Sequence, residues 1–324
     1  MITQKYQFFL NNTNIFLSII SFFLSWIVIY KTIPILRKNF IQVPNKRSSH
    51  SKPIPTGGGV IFVLIGTLFS LLLGNYKLLI ILPLGLIGFL DDFFEVSKKI
   101  RLSAQIITSF LIIKDSNIIK IIENQLSMHL FFIIIPVLII FSVALINFLN
   151  FMDGLDGLVV NCMLIYLVLF VCLHSPNMLP LVASMLAFSL WNFPPAKVFM
   201  GDVGSTFLGA TLVICIFNQN NFKEFFAFIL LASPLIFDSS VCLIRRLYAS
   251  HNVFDAHKLH LYQRLHQAGW SHLKVSLLYT ITTIILSLSY LTFGLYALLF
   301  LSLSLIPFGI FIEKNYATSF SKLD

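Results

Sequence analysis

Apolar residues occur along this chain in long runs that are separated by short polar segments. In an amphipathic helix or strand, apolar and polar residues alternate with the period of the element. Continuous apolar runs are instead typical of helices surrounded by lipid or protein. A bilayer core about 30 Å thick needs about 20 apolar residues per helix. We therefore predict helical spans at residues 15–36, 58–74, 77–92, 103–113, 128–149, 157–173, 178–192, 206–218, 225–243, 274–292 and 295–312.

This pattern corresponds to ten or eleven spans, because the segment 103–113 is short for a crossing. The residues that follow it, 114–125, either lengthen it or form a small hairpin outside the membrane. The first apolar run has no clear cleavage site after it, so we expect it to be a retained helix and not a signal peptide.

The composition excludes a soluble globular protein. Of the 324 residues, 57% are hydrophobic and only 11% are charged, whereas an average soluble domain has about 25% charged residues. The fold class predicted is an all-α polytopic membrane protein, with residues 1–324 forming one integral membrane domain. Its cytoplasmic loops are expected at residues 37–57, 93–102, 193–205 and 244–273.

The basic charge is explained by membrane topology. A net charge of +9 in a soluble protein would suggest a nucleic-acid partner, but here Lys and Arg lie in the loops. Five of these residues fall on one side of the predicted spans, and the rest fall on the other. The positive-inside rule then places the N-terminus outside and the C-terminus in the cytoplasm. We expect no nucleic-acid partner, and a homodimer stays open.

The acidic residues are concentrated at one predicted membrane face. Carboxylates at the ends of apolar helices are costly to desolvate unless they face a polar cavity, a metal or a ligand. Their gathering on the cytoplasmic side therefore predicts a site there. The residues concerned are Asp91, Asp92, Asp153, Asp156, Asp202 and Asp255.

Two motifs supply most of these carboxylates. Asp91 and Asp92 are adjacent, and their charges repel each other unless a cation or a shared proton offsets the repulsion. Arg101 follows one loop later and could supply such a cation. The alternative to a functional site is that the two aspartates only mark the charged end of a helix. In the second motif, the spacing of three places Asn147, Asn150 and Asp153 on one stripe of a helix. Asp156 extends that stripe if the helix continues.

The third motif, Gly201–Ser205, opens the next span with Asp202 between two glycines. Backbone N–H groups at such a helix start suit a phosphate or a metal-bridged phosphate. The alternative is that Asp202 only caps its own helix.

Two loops add cationic groups. The first loop includes residues Pro44–His50, among them Asn45 and Arg47. It either binds an anion or only supplies part of the excess of basic residues on the cytoplasmic side. In the last large loop, His257 and His260 are about one helical turn apart, and Arg264 follows four residues after His260. We expect this face to contact an anion such as a phosphate.

Metal binding by these histidines is the less favoured alternative, since no Cys or third His completes a zinc site in the sequence. The cysteines Cys162, Cys172, Cys215 and Cys242 lie singly in or beside apolar runs. We interpret them as buried thiols.

Carboxylates beside amide side chains suit a hard divalent ion. Mg²⁺ usually binds one or two carboxylates together with substrate phosphates, and Arg and His side chains would meet the remaining phosphate charge. A membrane site that is open to the cytosol and has no Walker motif indicates phosphoryl transfer between a soluble phosphate ester and a lipid.

Together these motifs resemble those of the polyprenyl-phosphate N-acetylhexosamine-1-phosphate transferases, also called glycosyltransferase family 4. The resemblance covers about residues 15–310 in the family's motif order. It implies a Mg²⁺-dependent enzyme of the bacterial cytoplasmic membrane, with its active site facing the cytoplasm. The implied reaction moves a sugar 1-phosphate from a UDP-N-acetylhexosamine to undecaprenyl phosphate and releases UMP, in O-antigen or other cell-envelope glycan synthesis.

The resemblance also implies roles for residues. Asp202 would contact Mg²⁺ with Asp153 and Asn150 nearby, Asp91 and Asp92 would engage the lipid phosphate, and Arg101 would face the diphosphate. The catalytic set expected is Asp91, Asp92, Asp153 and Asp156. The substrate-binding set expected is Asn45, Arg47, Arg101, Asn147, His257, His260 and Arg264.

The sugar stays open. The last loop departs from the denser histidine run of the N-acetylglucosamine and phospho-N-acetylmuramoyl-pentapeptide enzymes. It is similar to members that start O-antigen synthesis with N-acetylfucosamine or N-acetylquinovosamine. The rival functions are a non-catalytic transporter of lipid-linked sugar, which would spread its polar residues through mid-membrane, and a CDP-alcohol phosphotransferase. CDP-alcohol phosphotransferases have no separate motifs that correspond to Gly201–Ser205 and to the histidine loop of this chain.

Overall fold

The structure is a computed structural model that describes residues 12–42, 53–125, 127–251 and 257–320. In these residues the chain is almost entirely helical, which confirms the predicted all-α membrane fold. The helices are α1 (Asn12–Asn39), α2 (Gly59–Leu72), α3 (Leu78–Phe94), α4 (Lys98–Lys114), α5 (Asn117–Gln125), α6 (Met128–Met152), α7 (Leu158–Leu173), α8 (Leu179–Asn192), α9 (Gly201–Phe217), α10 (Phe222–Leu231), α11 (Ser233–Tyr248), α12 (Leu261–Gln267), α13 (His272–Phe293) and α14 (Leu295–Tyr316).

Every predicted apolar segment coincides with helix in the structure. Within the part of the chain that the structure describes, four helices are long and apolar enough to cross a membrane alone, namely α1, α6, α13 and α14. Three shorter apolar helices, α2, α7 and α9, add to the bundle. The polytopic character is thus confirmed, whereas the larger number of crossings stays a prediction. The residues after α4 form a separate short helix, α5, and do not lengthen it.

The predicted span 225–243 is wrong as a single straight helix. The structure has two helices there, α10 and α11, which meet at an angle of 71°. Pro234 occupies the first turn of α11. Because proline has no N–H and fixes its own φ, it suits the first turn of a helix, which is where the new helix starts here. The apolar run continues across this break, so hydropathy alone does not reveal it.

Helix α9 lies at the centre of the molecule. All its residues from Val203 to Phe217 are buried, as expected of a helix that is apolar on all sides. It packs against α2, α3 and α6. Because its first residues lie beside the last residues of α3 and α6, three polar helix ends meet in one place.

The only strands in the described residues are two short ones that flank the first loop. Residues Ile41–Gln42 and Ile54–Pro55 pair antiparallel. The chain that follows is fastened to the segment before α9, because Phe199 N–H donates to Pro55 O at 2.8 Å and Gly59 N–H donates to Met200 O at 2.9 Å. The strand Ile54–Pro55 is thereby anchored next to the start of α9.

Candidate active site

The site is formed where α3 and α6 end and α9 begins. Helix α3 brings Asp91 and Asp92, α6 brings Asn150 and is followed by Asp153, and α9 begins with Asp202 in its first turn. The predicted gathering of these carboxylates, which are far apart in the sequence, is therefore present in the structure.

Asp92 caps helix α9. Its carboxylate accepts the backbone N–H of Asp202 at 2.8 Å and that of Val203 at 3.3 Å. Gly201 makes room for it, since its φ is +75° and a Cβ there would lie 2.4 Å from Asp92 Oδ2. Two of the N–H groups at this helix start are thus bound by a side chain of the protein itself, and the expected binding of a phosphate there stays a prediction.

Arg101 bridges two of the carboxylates. Its Nη1 lies 2.5 Å from Asp91 Oδ2 and 3.5 Å from Asp202 Oδ2. Asp91 is nearly buried, with 8% of its side chain exposed, whereas Asp202 and Arg101 are about one third exposed, at 35% and 36%. The Arg101–Asp202 pair therefore forms the part of the cluster that a soluble ligand can reach.

The amide stripe of α6 reaches the same cluster. Asn150 Nδ2 donates to Asp202 Oδ1 at 3.0 Å and to Ser205 Oγ at 2.9 Å. One turn earlier, Asn147 and Gln105 exchange two hydrogen bonds through their side-chain amides, at 2.8 and 3.2 Å. Asn147 thus joins α6 to α4, whereas Asn150 touches the carboxylate cluster directly.

Asp153 follows the last residue of α6 and lies partly buried beside the other acids. Loss of water, followed by the nearby charges of Asp202, Asp92 and Asp156, raises the pKa of Asp153 well above its usual range. A carboxyl group in such surroundings holds a proton unless a cation is present to favour its ionised form.

Asp156 does not extend the stripe, because α6 ends at Met152. Its Oδ2 accepts the Ala196 N–H at 3.0 Å, and its Oδ1 lies 3.0 Å from His272 Nδ1. The next residue, Gly157, donates its N–H to Asn192 Oδ1 at 3.0 Å. Asp156 therefore fastens the loop between α6 and α7 to neighbouring segments, and its expected catalytic role stays a prediction.

The last loop differs from the helical face that the spacing predicted. Helix α12 begins only at Leu261, after His257 and His260, so the two histidines are not successive positions of one helix. Their rings stack with centroids 5.0 Å apart. Burial, with the nearby His260, Arg246 and His251, lowers the pKa of His257 to about 3, which keeps its imidazole neutral at physiological pH.

Arg264 is buried, with 3% of its side chain exposed. Its Nη1 lies 3.1 Å from Glu313 Oε1 and donates to Thr318 O at 3.0 Å, while Nε donates to Leu259 O at 3.1 Å. These partners belong to the chain and join α12 to the C-terminal segment. The expected contact of Arg264 with a diphosphate stays a prediction.

Sequence reasoning missed Asp238. This buried residue of α11 accepts the N–H groups of Leu261 at 2.7 Å and Tyr262 at 3.0 Å, and the Tyr279 hydroxyl at 2.6 Å. His260 Nδ1 lies 3.6 Å from its Oδ1. Asp238 therefore caps α12 from another helix. A lone aspartate inside an apolar run was the available signal, since such a residue needs polar partners.

The last loop and the second motif are in direct contact. The Tyr262 hydroxyl donates to Phe151 O at 2.9 Å, and a Cβ on Gly154 would lie 2.2 Å from that hydroxyl oxygen. Glycine is thus required where the ring of Tyr262 covers the backbone. The histidine loop therefore stands beside the Asp153 end of the carboxylate cluster.

Three residues singled out in the sequence, Asn45, Arg47 and Asp255, lie outside the described residues. Their expected roles stay predictions.

The carboxylate cluster is suited to a hard cation. Asp202 and Asp153 offer oxygen ligands, and the side-chain oxygen of Asn150 is a further one. The mutual repulsion of these acids is relieved by a cation. In the described residues, no three of the acids come close enough to enclose an ion by themselves. This arrangement suits a divalent cation that takes one or two carboxylates and completes its shell with water and substrate phosphate.

The comparisons with known proteins show that the chain is similar to sugar-phosphate transferases. Residues 75–219 match the model of glycosyl transferase family 4. A Bacillus subtilis protein named as a probable undecaprenyl-phosphate N-acetylglucosaminyl 1-phosphate transferase is 28% identical over 284 residues, covering 78% of this chain and 78% of that protein. A Thermotoga maritima undecaprenyl-phosphate alpha-N-acetylglucosaminyl 1-phosphate transferase is 28% identical over 256 residues, covering 76% of this chain and 80% of its own.

A third relative acts on a different sugar. The phospho-N-acetylmuramoyl-pentapeptide-transferase of Streptococcus pyogenes serotype M6 is 32% identical over 193 residues, covering 49% of this chain and 57% of that protein. The family match includes all the residues of the carboxylate cluster but ends before the histidine loop.

Proposed function

Since the chain belongs to the polyprenyl-phosphate N-acetylhexosamine-1-phosphate transferase family, we propose that it transfers a sugar 1-phosphate from a UDP-N-acetylhexosamine to undecaprenyl phosphate. An oxygen of the lipid phosphate replaces UMP on the β-phosphorus of the nucleotide sugar, and UMP leaves with the bridging oxygen. The proposal places the enzyme in the bacterial cytoplasmic membrane with its site open to the cytoplasm.

The observation that carries this proposal is the Arg101 bridge. A guanidinium held between Asp91 and Asp202 at helix ends, and still about one third exposed, can pair with phosphate oxygens without leaving the cluster. Arginine offers a planar set of donors that matches phosphate geometry. Helix ends at a membrane surface are also where a lipid phosphate and a soluble nucleotide can meet.

We propose Mg²⁺ as the cofactor, held by Asp202 with Asp153 and Asn150 nearby. When bound, the ion would offset the charge that gathers on the phosphoryl oxygens. Asp92 holds the start of α9, and thereby Asp202, in place. Asp91 and Arg101 orient the phosphates, and Asp156 is a further candidate catalytic residue. Direct attack by the lipid phosphate and a covalent phosphosugar on an aspartate both remain open, and a burst of UMP without lipid acceptor would favour the covalent route.

We propose N-acetylglucosamine as the first sugar to test, because the names of two relatives specify it. The 6-deoxy sugars N-acetylfucosamine and N-acetylquinovosamine are the alternative, supported by the form of the last loop. In that loop His257 is partly exposed and is the candidate for direct contact. The buried His260 and Arg264 would act by positioning it.

The deciding experiment supplies purified protein with Mg²⁺, undecaprenyl phosphate and one nucleotide sugar at a time. The panel contains UDP-N-acetylglucosamine, its 6-deoxy relatives and UDP-N-acetylmuramoyl-pentapeptide, and released UMP is measured. We expect UMP and a lipid-linked sugar phosphate with one member of the panel. Movement of lipid-linked sugar across vesicles with no UMP release from any member would instead favour a transporter.

A further inference from the structure

A group of soft metal ligands lies outside the carboxylate cluster. The structure brings Cys242, from the second half of α11, next to His257 and His260 of the last loop. One ligand atom from each lies within 4.8 Å of the other two, and this is the one such group found in the described residues. The sequence separates Cys242 from the histidines by more than a dozen residues, so spacing alone did not indicate the trio.

From this geometry we infer that Cys242, His257 and His260 form a binding site for a zinc ion. Tetrahedral zinc with bonds of about 2.0–2.3 Å to nitrogen and sulfur requires ligand atoms about 3.4–3.8 Å apart. The trio is within about 1 Å of that spacing, which small side-chain rotations can supply. A thiolate and two imidazoles favour zinc over Mg²⁺, so the site differs in chemistry from the carboxylate cluster.

The neighbours of His260 support this assignment. Its Nδ1 is buried and faces Asp238 Oδ1 at 3.6 Å. Zinc-bound histidines usually direct their second nitrogen to a carboxylate, which fixes the ring and its tautomer. Asp238 is positioned for that role, and Nε2 of His260 is then the nitrogen directed to the metal.

Binding requires little rearrangement of the other two ligands. His257 Nδ1 accepts a long 3.3 Å bond from the Leu259 N–H, which metal binding would replace. The Cys242 side chain is a free thiol, and a coordinating thiol is deprotonated outright. Three protein ligands leave a fourth position for water or another small ligand.

The consequence is a metal clip between α11 and the loop that leads into α12. It would hold that loop against the Phe151–Gly154 backbone, which Tyr262 already contacts. Since the ion binds only the folded arrangement, zinc would stabilise the protein by an amount that grows with the logarithm of its concentration once that concentration exceeds the dissociation constant.

The test measures metal on purified, chelator-treated full-length protein in detergent. After incubation with zinc and desalting, we expect about one zinc ion per chain by elemental analysis. With cobalt in place of zinc, we expect the thiolate-to-cobalt charge-transfer absorption. Cys242→Ser should remove that absorption, and His257→Gln, which changes a partly exposed side chain, should weaken zinc binding by at least about tenfold.

Matched controls separate this site from the rest of the chain. Cys162→Ser changes another buried thiol, His129→Gln changes an exposed histidine, and Asp202→Asn changes the carboxylate cluster. All three variants should still bind zinc and show the cobalt absorption. Wild-type protein without zinc, or a cobalt–thiolate absorption that survives in Cys242→Ser, would overturn the inference. Because these readouts do not depend on sugar transfer, failure of the proposed enzyme activity would leave them unaffected.

Discussion

At the scale of single residues, Asp202 has the most connections in the carboxylate cluster. Arg101 and Asn150 both contact its side chain, and its backbone N–H is bound by Asp92. It is also partly exposed. This combination of a fixed position and an open face is what a ligand for a hard cation requires.

We expect Asp202→Asn to reduce UMP release by at least about 100-fold, since a metal ion on a phosphoryl oxygen supplies several kcal/mol of transition-state stabilisation. An amide keeps the shape but removes the charge, so excess Mg²⁺ should restore little activity. Asp115→Asn is the control, because Asp115 is an exposed residue at the other end of α4. Near-normal turnover in Asp202→Asn would contradict the assigned metal ligand.

The bridge formed by Arg101 gives a second expectation. Arg101→Ala should lower kcat/KM at least about tenfold, because Asp91 and Asp202 lose their shared cation and phosphate loses a donor pair. Arg101→Lys should recover only part of that loss, since an ammonium cannot reproduce the planar fork. Steady-state kinetics with both substrates will compare the two. Full recovery by lysine would show that charge alone matters there.

The sequence predicts that Arg264 contacts an anion, but its burial makes the stability of the protein the property to measure. It holds Glu313, Thr318 O and Leu259 O at once. Lysine cannot satisfy all three, so Arg264→Lys should cost about 1–3 kcal/mol of folding stability. Arg245→Lys is the matched control, because Arg245 also pairs with Glu313 but is 34% exposed. Thermal unfolding in detergent should show the larger loss for Arg264→Lys.

At the scale of elements, the contact between α3 and α9 decides the position of the carboxylates. A Cβ on Gly88 would lie 2.5 Å from the backbone O of Asp202. Because a backbone atom cannot rotate away as a side chain can, the two helices approach this closely only when glycine stands there.

Gly88→Ala should therefore separate α3 from α9, destabilise the protein by about 1–3 kcal/mol and impair transfer by displacing Asp92 from the start of α9. Gly85→Ala, one turn earlier on the same helix, is the control, since its new Cβ would have no neighbour closer than 3.6 Å. Unfolding temperature and UMP release are measured together for both variants. Equal behaviour of the two would argue against the close helix contact.

The elements also show what the sequence could and could not predict. Hydropathy located the apolar helices, because lipid or protein on every side requires continuous apolar residues. The predicted topology identified Asp91, Asp92, Asp153 and Asp202 as one group, because it places all of them on the same face of the membrane. The bend before Pro234 and the early end of α6 depend on local backbone geometry, which hydropathy does not describe. The pairing of Cys242 and Asp238 with the last loop depends on tertiary packing between distant segments.

At the scale of the whole molecule, α3 and α9 run antiparallel and define two ends. At one end Asp92 meets the start of α9. At the other end Lys77, just before α3, donates to the Asn218 side chain just after α9. Since a helix rises about 1.5 Å per residue, the 17 residues of α9 separate these ends by about 25 Å. That distance is close to the thickness of the hydrocarbon core.

The carboxylate end should therefore face the cytoplasm and the Lys77 end the opposite side, as the distribution of basic residues predicts. The test introduces one cysteine at a time into a variant lacking Cys162, Cys172, Cys215 and Cys242. Lys99→Cys reports on the first end and Asn220→Cys on the second, and both positions are exposed. A membrane-impermeant maleimide should label Asn220→Cys in intact cells but Lys99→Cys only after lysis. Labelling of both before lysis, or the reverse order, would refute this orientation and with it a site supplied by cytoplasmic UDP-sugars.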